Sequence, residues 1–491
     1  MSHISPDGVG KMSRISEISE KILNGSIHIH FIGIGGSGMF PLVQIVKQKG
    51  HTVSGSDNNE TETLQAVRKM GCEVFMGQRA ENIKGAELIV YTAAIMSDNP
   101  ELIAAKESGV PLLERAEMLG IVSSWYDNAI CICGTHGKTT ATSMLTQIFL
   151  ETDKDISCFI GGKLKALGGG SGRAGSGDTF VCESCEFEDH FLKMYPDTVV
   201  ILNVDADHLD YFKTLDNIKK SFGKFAEKAT KGLIVNGDDG NTLEAIRGID
   251  KPTVTFGLSE SNDYFAKDIS IRGLETVFEV FKKGVSMGKV TVHVAGEHNV
   301  YNALAAIAAA DQNGVGFDKI CAAMSKFTGA ARRFEKIAYA RGITVVDDYA
   351  HHPAELAAVL TEAKQCGFER VIAVFQPFTY SRTKILFDDF VKCLQIADMV
   401  VLTDIMGSRE KNDIGIYTRD LAKAIPGCVF FDCPNEIADA QTAKRKEENF
   451  DEIIAYLLGE LKAGDVVITL GCGDAYKLSK KLGAILEKEE N

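Results

Sequence analysis

The chain has no run of the ~18 uninterrupted apolar residues that a membrane-spanning helix needs, so no segment is expected to insert into a membrane. Its first residues, MSHISPDGVGKMSRISEISEKILNGS, lack the apolar centre of a secretory signal, which predicts a cytoplasmic protein. There are twelve cysteines but no disulfide framework. They are scattered singly or share one apolar stretch (Cys131, Cys133), as reduced thiols do. Cys182 and Cys185 form one C-x-x-C, and no second pair completes the four ligands of a structural zinc site. A basic excess is also missing. The formal charge of -14 argues against a general nucleic-acid binder, although loops and metal ions can still create a local anion site. No repeat of solenoid length is present.

What is present is the balance of an ordinary globular protein, 45% hydrophobic and 24% charged residues. At ~150 residues per domain, 491 residues predict about three domains. Short apolar runs alternate with helical patterns in three series. IHIHFIG, HTVSGSD and ELIVYTA come first; AICICG, TFVCES, TVVILNVD and GLIVNGDD follow; ITVVDDY, RVIAVFQP, DMVVLTD, CVFFD and DVVITLGCGD close the chain. Such alternation is the mark of mainly parallel sheets with crossover helices, so the expected fold is α/β in three modules, over 1–124, 125–331 and 332–491. Residues 161–177, GGKLKALGGGSGRAGSG, are rich enough in glycine to read as a mobile loop, a linker in preference to a lid.

In HFIGIGGSGMFP, Gly33, Gly35 and Gly38 fit G-x-G-x-x-G directly after a strand, with Gly36 and Ser37 between them and Pro41 in the first turn of the next helix. Glycines let the backbone approach a diphosphate, and the helix start offers N–H donors. Asp57 ends the next strand, about 20 residues on, where a ribose ligand is expected. Taken alone, this module would suit a nicotinamide oxidoreductase.

The second loop, ICGTHGKTTAT (132–142), again joins a buried strand to a helix whose apolar face is Ala141, Met144, Leu145, Ile148 and Phe149. Gly134, Thr135, Gly137 and Thr140 shape the loop and His136 spaces it. Lys138 can reach β and γ phosphates, and the Thr139 hydroxyl can join the shell of a Mg²⁺ bridging them. Ile132 stands where the standard motif has its first glycine, so the loop is the shorter form. A Mg-nucleotide also needs carboxylates at neighbouring strand ends. Glu183, Asp205, Asp207, His208 and Asp210 occupy such positions, each also an ordinary turn or cap residue.

GTHGKTT, the Glu183 strand end, NVDADHLDYF (203–212), GEHNVYNALAA (296–306), AARRFE (330–335), DDYAHHPAE (347–355) and FQPFTYSRT (375–383) occur in one order. Together with GIGGSGM, this set resembles the Mur ligases over nearly the whole chain beyond the first ~25 residues. The resemblance implies a Rossmann-like N-terminal domain for a uridine nucleotide, a central P-loop ATPase-like domain and a C-terminal Rossmann-like domain closing over ATP and the amino acid. It implies an ATP-dependent ligation in cytoplasmic cell-wall precursor synthesis. ATP phosphorylates the lactyl carboxylate of UDP-N-acetylmuramate, and L-alanine displaces the phosphate; the alternative is attachment of a recycled tripeptide to the same sugar. The implied ion is Mg²⁺, with Mn²⁺ as a substitute, and the implied state is a monomer or homodimer without nucleic-acid partner.

By the same resemblance, Thr139 and Glu183 hold the nucleotide's ion, and Glu183 with His208 a second one near the substrate acid. Asn302 meets the adenine, Arg333 a phosphate and Asp348 the ribose of ATP, while Asn299 reads as a cap. Tyr349, His351 and Arg382 surround the amino acid, with Arg382 suited to its carboxylate and His351 or His352 to its amine proton. Phe378 stands where the family often has His, which bears on the choice among L-alanine, glycine and L-serine.

Overall fold

The computed structural model describes residues 18–23, 25–407, 410–431 and 440–490. The side chains of Asp210 and of residues 440–447 lie outside that description, as does most of the polar N-terminus read above for a signal. Strands β1 (His28–Ile32), β2 (Thr52–Asp57), β3 (Glu73–Met76), β4 (Leu88–Tyr91) and β5 (Leu112–Glu114) form a parallel sheet in the order β3-β2-β1-β4-β5. The order reverses between β1 and β4. Loops at such a switch point open a crevice at the C-terminal strand ends, and the first glycine loop is there.

The second sheet has ten strands: β6 (Asn128–Cys133), β7 (Ser157–Leu164), β8 (Gly170–Arg173), β9 (Thr179–Glu183), β10 (Thr198–Ile201), β11 (Gly232–Asn236), β12 (Thr253–Gly257), β13 (Tyr264–Arg272), β14 (Glu275–Lys282) and β15 (Val285–Val292). Their order is β15-β14-β13-β12-β11-β10-β6-β9-β7-β8. The run NAICIC of β6 is buried from its second residue because parallel neighbours lie on both sides and helices cover the faces. Those neighbours, β9 and β10, end in Glu183 and lead into Asn203–His208. Topology therefore gathers these residues at the end of β6. The helix Lys138–Leu150 buries the predicted face: Ala141, Met144, Leu145, Ile148 and Phe149 are at most 1% exposed.

The third sheet comprises β16 (Glu335–Ala340), β17 (Ile343–Asp348), β18 (Arg370–Phe375), β19 (Met399–Leu402), β20 (Val429–Phe430) and β21 (Asp465–Leu470), ordered β16-β17-β21-β18-β19-β20. Only the edge strand β16 is antiparallel. Packing divides the chain into two compact units. Met1–Asp268, Phe278–Val290 and His298–Ser325 carry the first two sheets, apart from the ends of β13 to β15. Ile269–Val277, Thr291–Glu297 and Lys326–Asn491 carry the third.

One expectation is corrected. Residues 161–177 are not a mobile loop, because β7 and β8 pair as an antiparallel hairpin that packs on the helix Phe40–Gln48. Here glycine serves close approach and not freedom. A Cβ at Gly172 would collide with Pro41, and Ser171 Oγ donates to the Ser37 carbonyl at 3.0 Å. The eleven cysteines described are free thiols, including Cys182 and Cys185.

Candidate active site

After β1 the chain turns through Gly33 (φ 85°), where a Cβ would stand 2.8 Å from the Thr92 methyl. The N–H groups of Gly33 and Ile34 donate to the Ser56 carbonyl at 2.8 and 3.0 Å. Asp57 accepts from Gly35 N–H at 2.9 Å and from Asn59 N–H at 3.0 Å, so its carboxylate ties the loop to β2. Gly36, Ser37, Gly38 and Met39 line a cavity of about 380 Å³ that also takes in Arg115, His190 and Glu183. The Arg115 guanidinium lies 3.6 Å from the Cβ position of Gly38 and 5.9 Å from the centre of the Phe159 ring. Among the described residues it has no carboxylate partner, so its charge is available to an anion on the loop.

Beside it, Glu114 pairs with His190 at 3.2 Å and Lys193 at 2.8 Å. The His190 hydrogen bond, with help from Lys193, holds the Glu114 carboxyl at about 2 despite its burial.

The second loop reaches the cavity's lining through Glu183, which Thr139 touches. Gly134 (φ 147°) and Gly137 (φ 84°) are left-handed, and a Cβ on Gly137 would strike the Asn302 amide. Asn302 and Asn299 are buried and hydrogen bonded to each other at 3.1 Å. Asn203 clamps the loop by accepting from His136 N–H at 2.8 Å and donating to the His136 carbonyl at 3.1 Å. His136 itself is largely exposed, 4.0 Å from Asp205.

Lys138 Nζ donates to the carbonyls of Gly134 and Thr135 at 2.7 and 3.1 Å and pairs with both oxygens of Glu186 at 3.0 and 2.9 Å. Burial pulls the ammonium towards neutrality, but Glu186 and neighbouring negative groups outweigh it, and the pKa is raised. Lys138 is therefore charged at neutral pH. Thr139 Oγ1 donates to Glu183 Oε1 at 3.0 Å, and Gly161 N–H donates to Glu183 Oε2 at 2.7 Å. A Cβ at Gly161 would collide with that carboxylate, so the corrected hairpin is what seats Glu183.

Thr139 and Glu183 thus meet as expected. His208 does not join them: it lies at the left-handed start of the short helix Leu209–Phe212, its ring 4.7 Å from Phe187 and its Nε2 3.9 Å from Asp207. Among the described residues no cluster of three or more His, Cys, Asp or Glu side chains is arranged to hold a metal ion.

In the second unit, Asp348 is 4% exposed and accepts from the N–H groups of Phe334 and Ala350, both at 2.7 Å. Burial raises its pKa to about 6, with the Arg333 charge opposing. Arg333 is exposed, its guanidinium 5.9 Å from the Tyr349 ring, without an ion-pair partner among the described residues. Its neighbour Arg332 is committed instead, to Asp347 at 3.0 Å and to the Gly471 and Gly473 carbonyls.

His351 Nδ1 faces two acceptors, the Tyr349 carbonyl at 3.1 Å and Glu355 at 3.4 Å, so Nδ1 carries the proton. Burial lowers the pKa of the ring against the pull of Glu355. The neutral ring therefore keeps a lone pair on Nε2. His352 is the N-cap of the helix Pro353–Gln365 and accepts from Ala354 N–H at 3.4 Å, an ordinary structural duty. Arg382 rests 6.0 Å from the Phe378 ring, and its buried Nη1 has no hydrogen-bond partner. An orphaned guanidinium nitrogen of this kind calls for an anion.

The sequence reading missed Glu186, Arg115 and Gly161. Glu186 lies three residues beyond Glu183 at the same strand end, which was the available signal.

A glycine loop after β1, a lysine loop after β6 and an unsatisfied arginine in the other α/β unit are the kinds of parts a nucleotide-dependent ligase needs. Three family models match: Mur ligase family, catalytic domain, over residues 28–126; Mur ligase middle domain over 132–310; and Mur ligase, glutamate ligase domain over 332–473. The chain belongs to the Mur ligase family. It is 42% identical to the UDP-N-acetylmuramate–L-alanine ligase of Caldanaerobacter subterraneus subsp. tengcongensis, over 92% of this chain and 96% of that protein. It is 43% identical to the ligase of the same name from Lachnospira eligens, over 94% and 98%. The crystal structure of the UDP-N-acetylmuramate-alanine ligase of Thermotoga maritima superposes with a TM-score of 0.75 at 28% identity, over 94% of this chain and all of that one. A murein peptide ligase from Psychrobacter arcticus gives 0.66 at 25% identity, over 94% and 99%.

Proposed function

We propose that this enzyme joins L-alanine to the lactyl carboxylate of UDP-N-acetylmuramate with turnover of ATP, in the cytoplasmic synthesis of peptidoglycan precursor. One observation carries the reading. One cavity is lined both by the glycine loop with Arg115, which has no carboxylate partner among the described residues, and by Glu183, which Thr139 of the lysine loop touches. That suits a substrate with a diphosphate at one end and a reacting acid at the other. A nicotinamide oxidoreductase would leave Lys138 and Thr139 idle.

A carboxylate resists nucleophiles because of its charge and its poor leaving group. The lactyl oxygen attacks the γ phosphorus of ATP, ADP leaves, and the acyl phosphate so formed has phosphate as its leaving group. The amine of L-alanine then attacks the acyl carbon and loses a proton, giving an amide and inorganic phosphate. Lys138 stabilises charge on the transferring phosphoryl group once the nucleotide replaces Glu186 as its partner. Gly134, Thr135, His136, Gly137 and Thr140 offer the triphosphate a backbone cradle, and Asn302, against Gly137, suits the adenine side.

Mg²⁺ is held in such sites by one or two carboxylates plus the nucleotide's phosphates. The Thr139 hydroxyl beside the Glu183 carboxylate is a hard-oxygen pair of that kind, and Mn²⁺ would be accepted as well. The ion would offset the charge of the phosphates. His208 does not reach Glu183, so a second ion on that pair would need the His208 turn to rearrange.

For the amine, His351 Nε2 is a free base with the Tyr349 ring 5.5 Å from the imidazole, while Arg382 Nη1 offers the amino acid's carboxylate a buried donor. The test is phosphate release with L-alanine, glycine, L-serine and the tripeptide, each with and without UDP-N-acetylmuramate and Mg²⁺. Release that is indifferent to the amino acid, or full release without the UDP-sugar, would remove the proposal.

A further inference from the structure

Arg382 lies on the short helix Tyr380–Ile385 after β18, and the chain enters that helix through a backbone that does not hold itself. Thr379, the residue before the helix, has φ 62° and ψ 143°, a conformation that only glycine adopts readily. Such a backbone persists where its neighbours leave it no alternative. Here the neighbour is the segment that follows β19. The Thr379 N–H donates to the Met406 carbonyl at 3.0 Å, and the Met406 N–H donates to the Pro377 carbonyl at 2.8 Å. The two segments approach so closely that a Cβ at Gly407 would stand 2.5 Å from the Tyr380 ring.

Glu410 completes the grip. One of its carboxylate oxygens accepts from the Ser381 N–H at 2.9 Å and the other from the Ser381 hydroxyl at 2.5 Å. The hydroxyl leads in holding the Glu410 carboxyl below its ordinary value, with the Ser381 and Tyr380 N–H groups and the Arg382 charge in support. Glu410 is therefore an anion at neutral pH, and its field reaches Arg382. Among the described residues, however, no carboxylate pairs with Arg382, Glu410 included, and Arg382 Nη1 keeps no partner. An acid within electrostatic reach of the arginine is fastened to the residue before it. Two charge-assisted hydrogen bonds to one residue fix the orientation of the turn as well as its position.

We infer that Glu410 is a positioning residue for the incoming amino acid: by holding Ser381 it aims Arg382 at the substrate's carboxylate and leaves the guanidinium free to meet it. The inference rests on the reading of Arg382 as the partner of that carboxylate. Glu410 touches no substrate in this scheme and acts through the first turn of the helix. A direct Glu410–Arg382 pair would have closed the site to an outside anion.

The side chain of Glu410 is exposed, so its removal leaves no hole in the core. Glu410→Ala loses both hydrogen bonds. Glu410→Gln keeps them, since the amide oxygen accepts from the Ser381 N–H and the amide nitrogen donates to the hydroxyl. Ser381→Ala loses one. Initial rates of the full-length protein are measured for these variants and for Arg382→Lys, with each substrate varied in turn. Hydrogen–deuterium exchange of the peptide spanning Tyr380–Ile385 is followed beside them.

Glu410→Ala should raise KM for L-alanine by about 10- to 100-fold, as a misaimed binding group does, and leave KM for UDP-N-acetylmuramate and ATP unaltered. Exchange in the helix should quicken. Glu410→Gln should keep both readings close to wild type, and Ser381→Ala should shift both in the same direction by less. If Arg382→Lys raises KM for L-alanine and Glu410→Ala does not, the positioning role is overturned. If neither raises it, the reading of Arg382 has failed and the inference falls with it. A Glu410→Gln variant as impaired as Glu410→Ala would mean that charge and not the grip is responsible. Equal rises in KM for every substrate, or unchanged exchange in Glu410→Ala, also overturn the inference.

Discussion

Lys138 Nζ lies within 3.0 Å of both carboxylate oxygens of Glu186, a residue 2% exposed. The lysine that is to meet a triphosphate is thus already satisfied by an internal anion, and nucleotide binding exchanges one partner for another. Lys138→Ala should abolish phosphate release and also destabilise the protein by about 3 kcal/mol, because it leaves a buried carboxylate unpaired. Adding Glu186→Gln should restore most of the stability and none of the activity. Urea unfolding of the wild type and both variants beside phosphate release checks both halves.

His351 keeps Nδ1 protonated towards Tyr349 and Glu355, and burial lowers its pKa below the ordinary 6.5. A base acts in its neutral form, so kcat/KM for L-alanine should fall only as pH drops through a value under 6.5 and should stay level above it. His351→Gln should lose this acid limb and roughly 100- to 10,000-fold in rate. A pH–rate profile of the pair is the measurement, and an unchanged limb in the variant would assign it elsewhere.

The strand, loop and helix around Lys138 were legible because they rest on local pattern: the β-branched run of β6, two glycines, then apolar residues at helical spacing. Glu183 was legible as a strand end, since β9 had to lie near β6 in any parallel sheet. The hairpin at 161–177 was not. Glycine content records that a side chain is missing, and whether this gives freedom or close packing depends on Pro41 and Glu183, which are distant in sequence. Arg332 and Arg333 are adjacent and chemically alike, and only the position of Asp347 and the carbonyls of Gly471 and Gly473 separates a half-buried strut from an exposed cation. His208 was chosen by motif alone, and its left-handed backbone turns the ring onto Phe187.

Arg382 offers a buried Nη1 with no partner, beside Phe378. Lysine has neither the planar fork nor the reach to two oxygens. Arg382→Lys should raise KM for L-alanine by about 10- to 100-fold, the loss of one charge-assisted hydrogen bond of about 1.5–3 kcal/mol, and leave KM for UDP-N-acetylmuramate unaltered. Initial rates with each substrate varied in turn check this. An equal rise for both substrates would count against an amino-acid site.

Glu114, which ends β5, accepts from Lys193 at 2.8 Å and pairs with His190 at 3.2 Å; both belong to the turn that follows β9. The His190 hydrogen bond leads in holding its pKa at about 2 in place of 4.5. A carboxyl depressed by folding contributes stability that is fully present above the unfolded value and is lost as pH falls through the folded one, here between 4.5 and about 2. The shift corresponds to about 3 kcal/mol, and screening at this partly exposed site lowers the expected contribution to about 2 kcal/mol. Glu114→Gln should therefore be less stable than wild type by about 2 kcal/mol at pH 7, with the gap closing as the pH approaches 2. Urea midpoints taken stepwise from pH 7 downward measure it. A gap that stays constant with pH would mean that the contact acts through packing and not through charge.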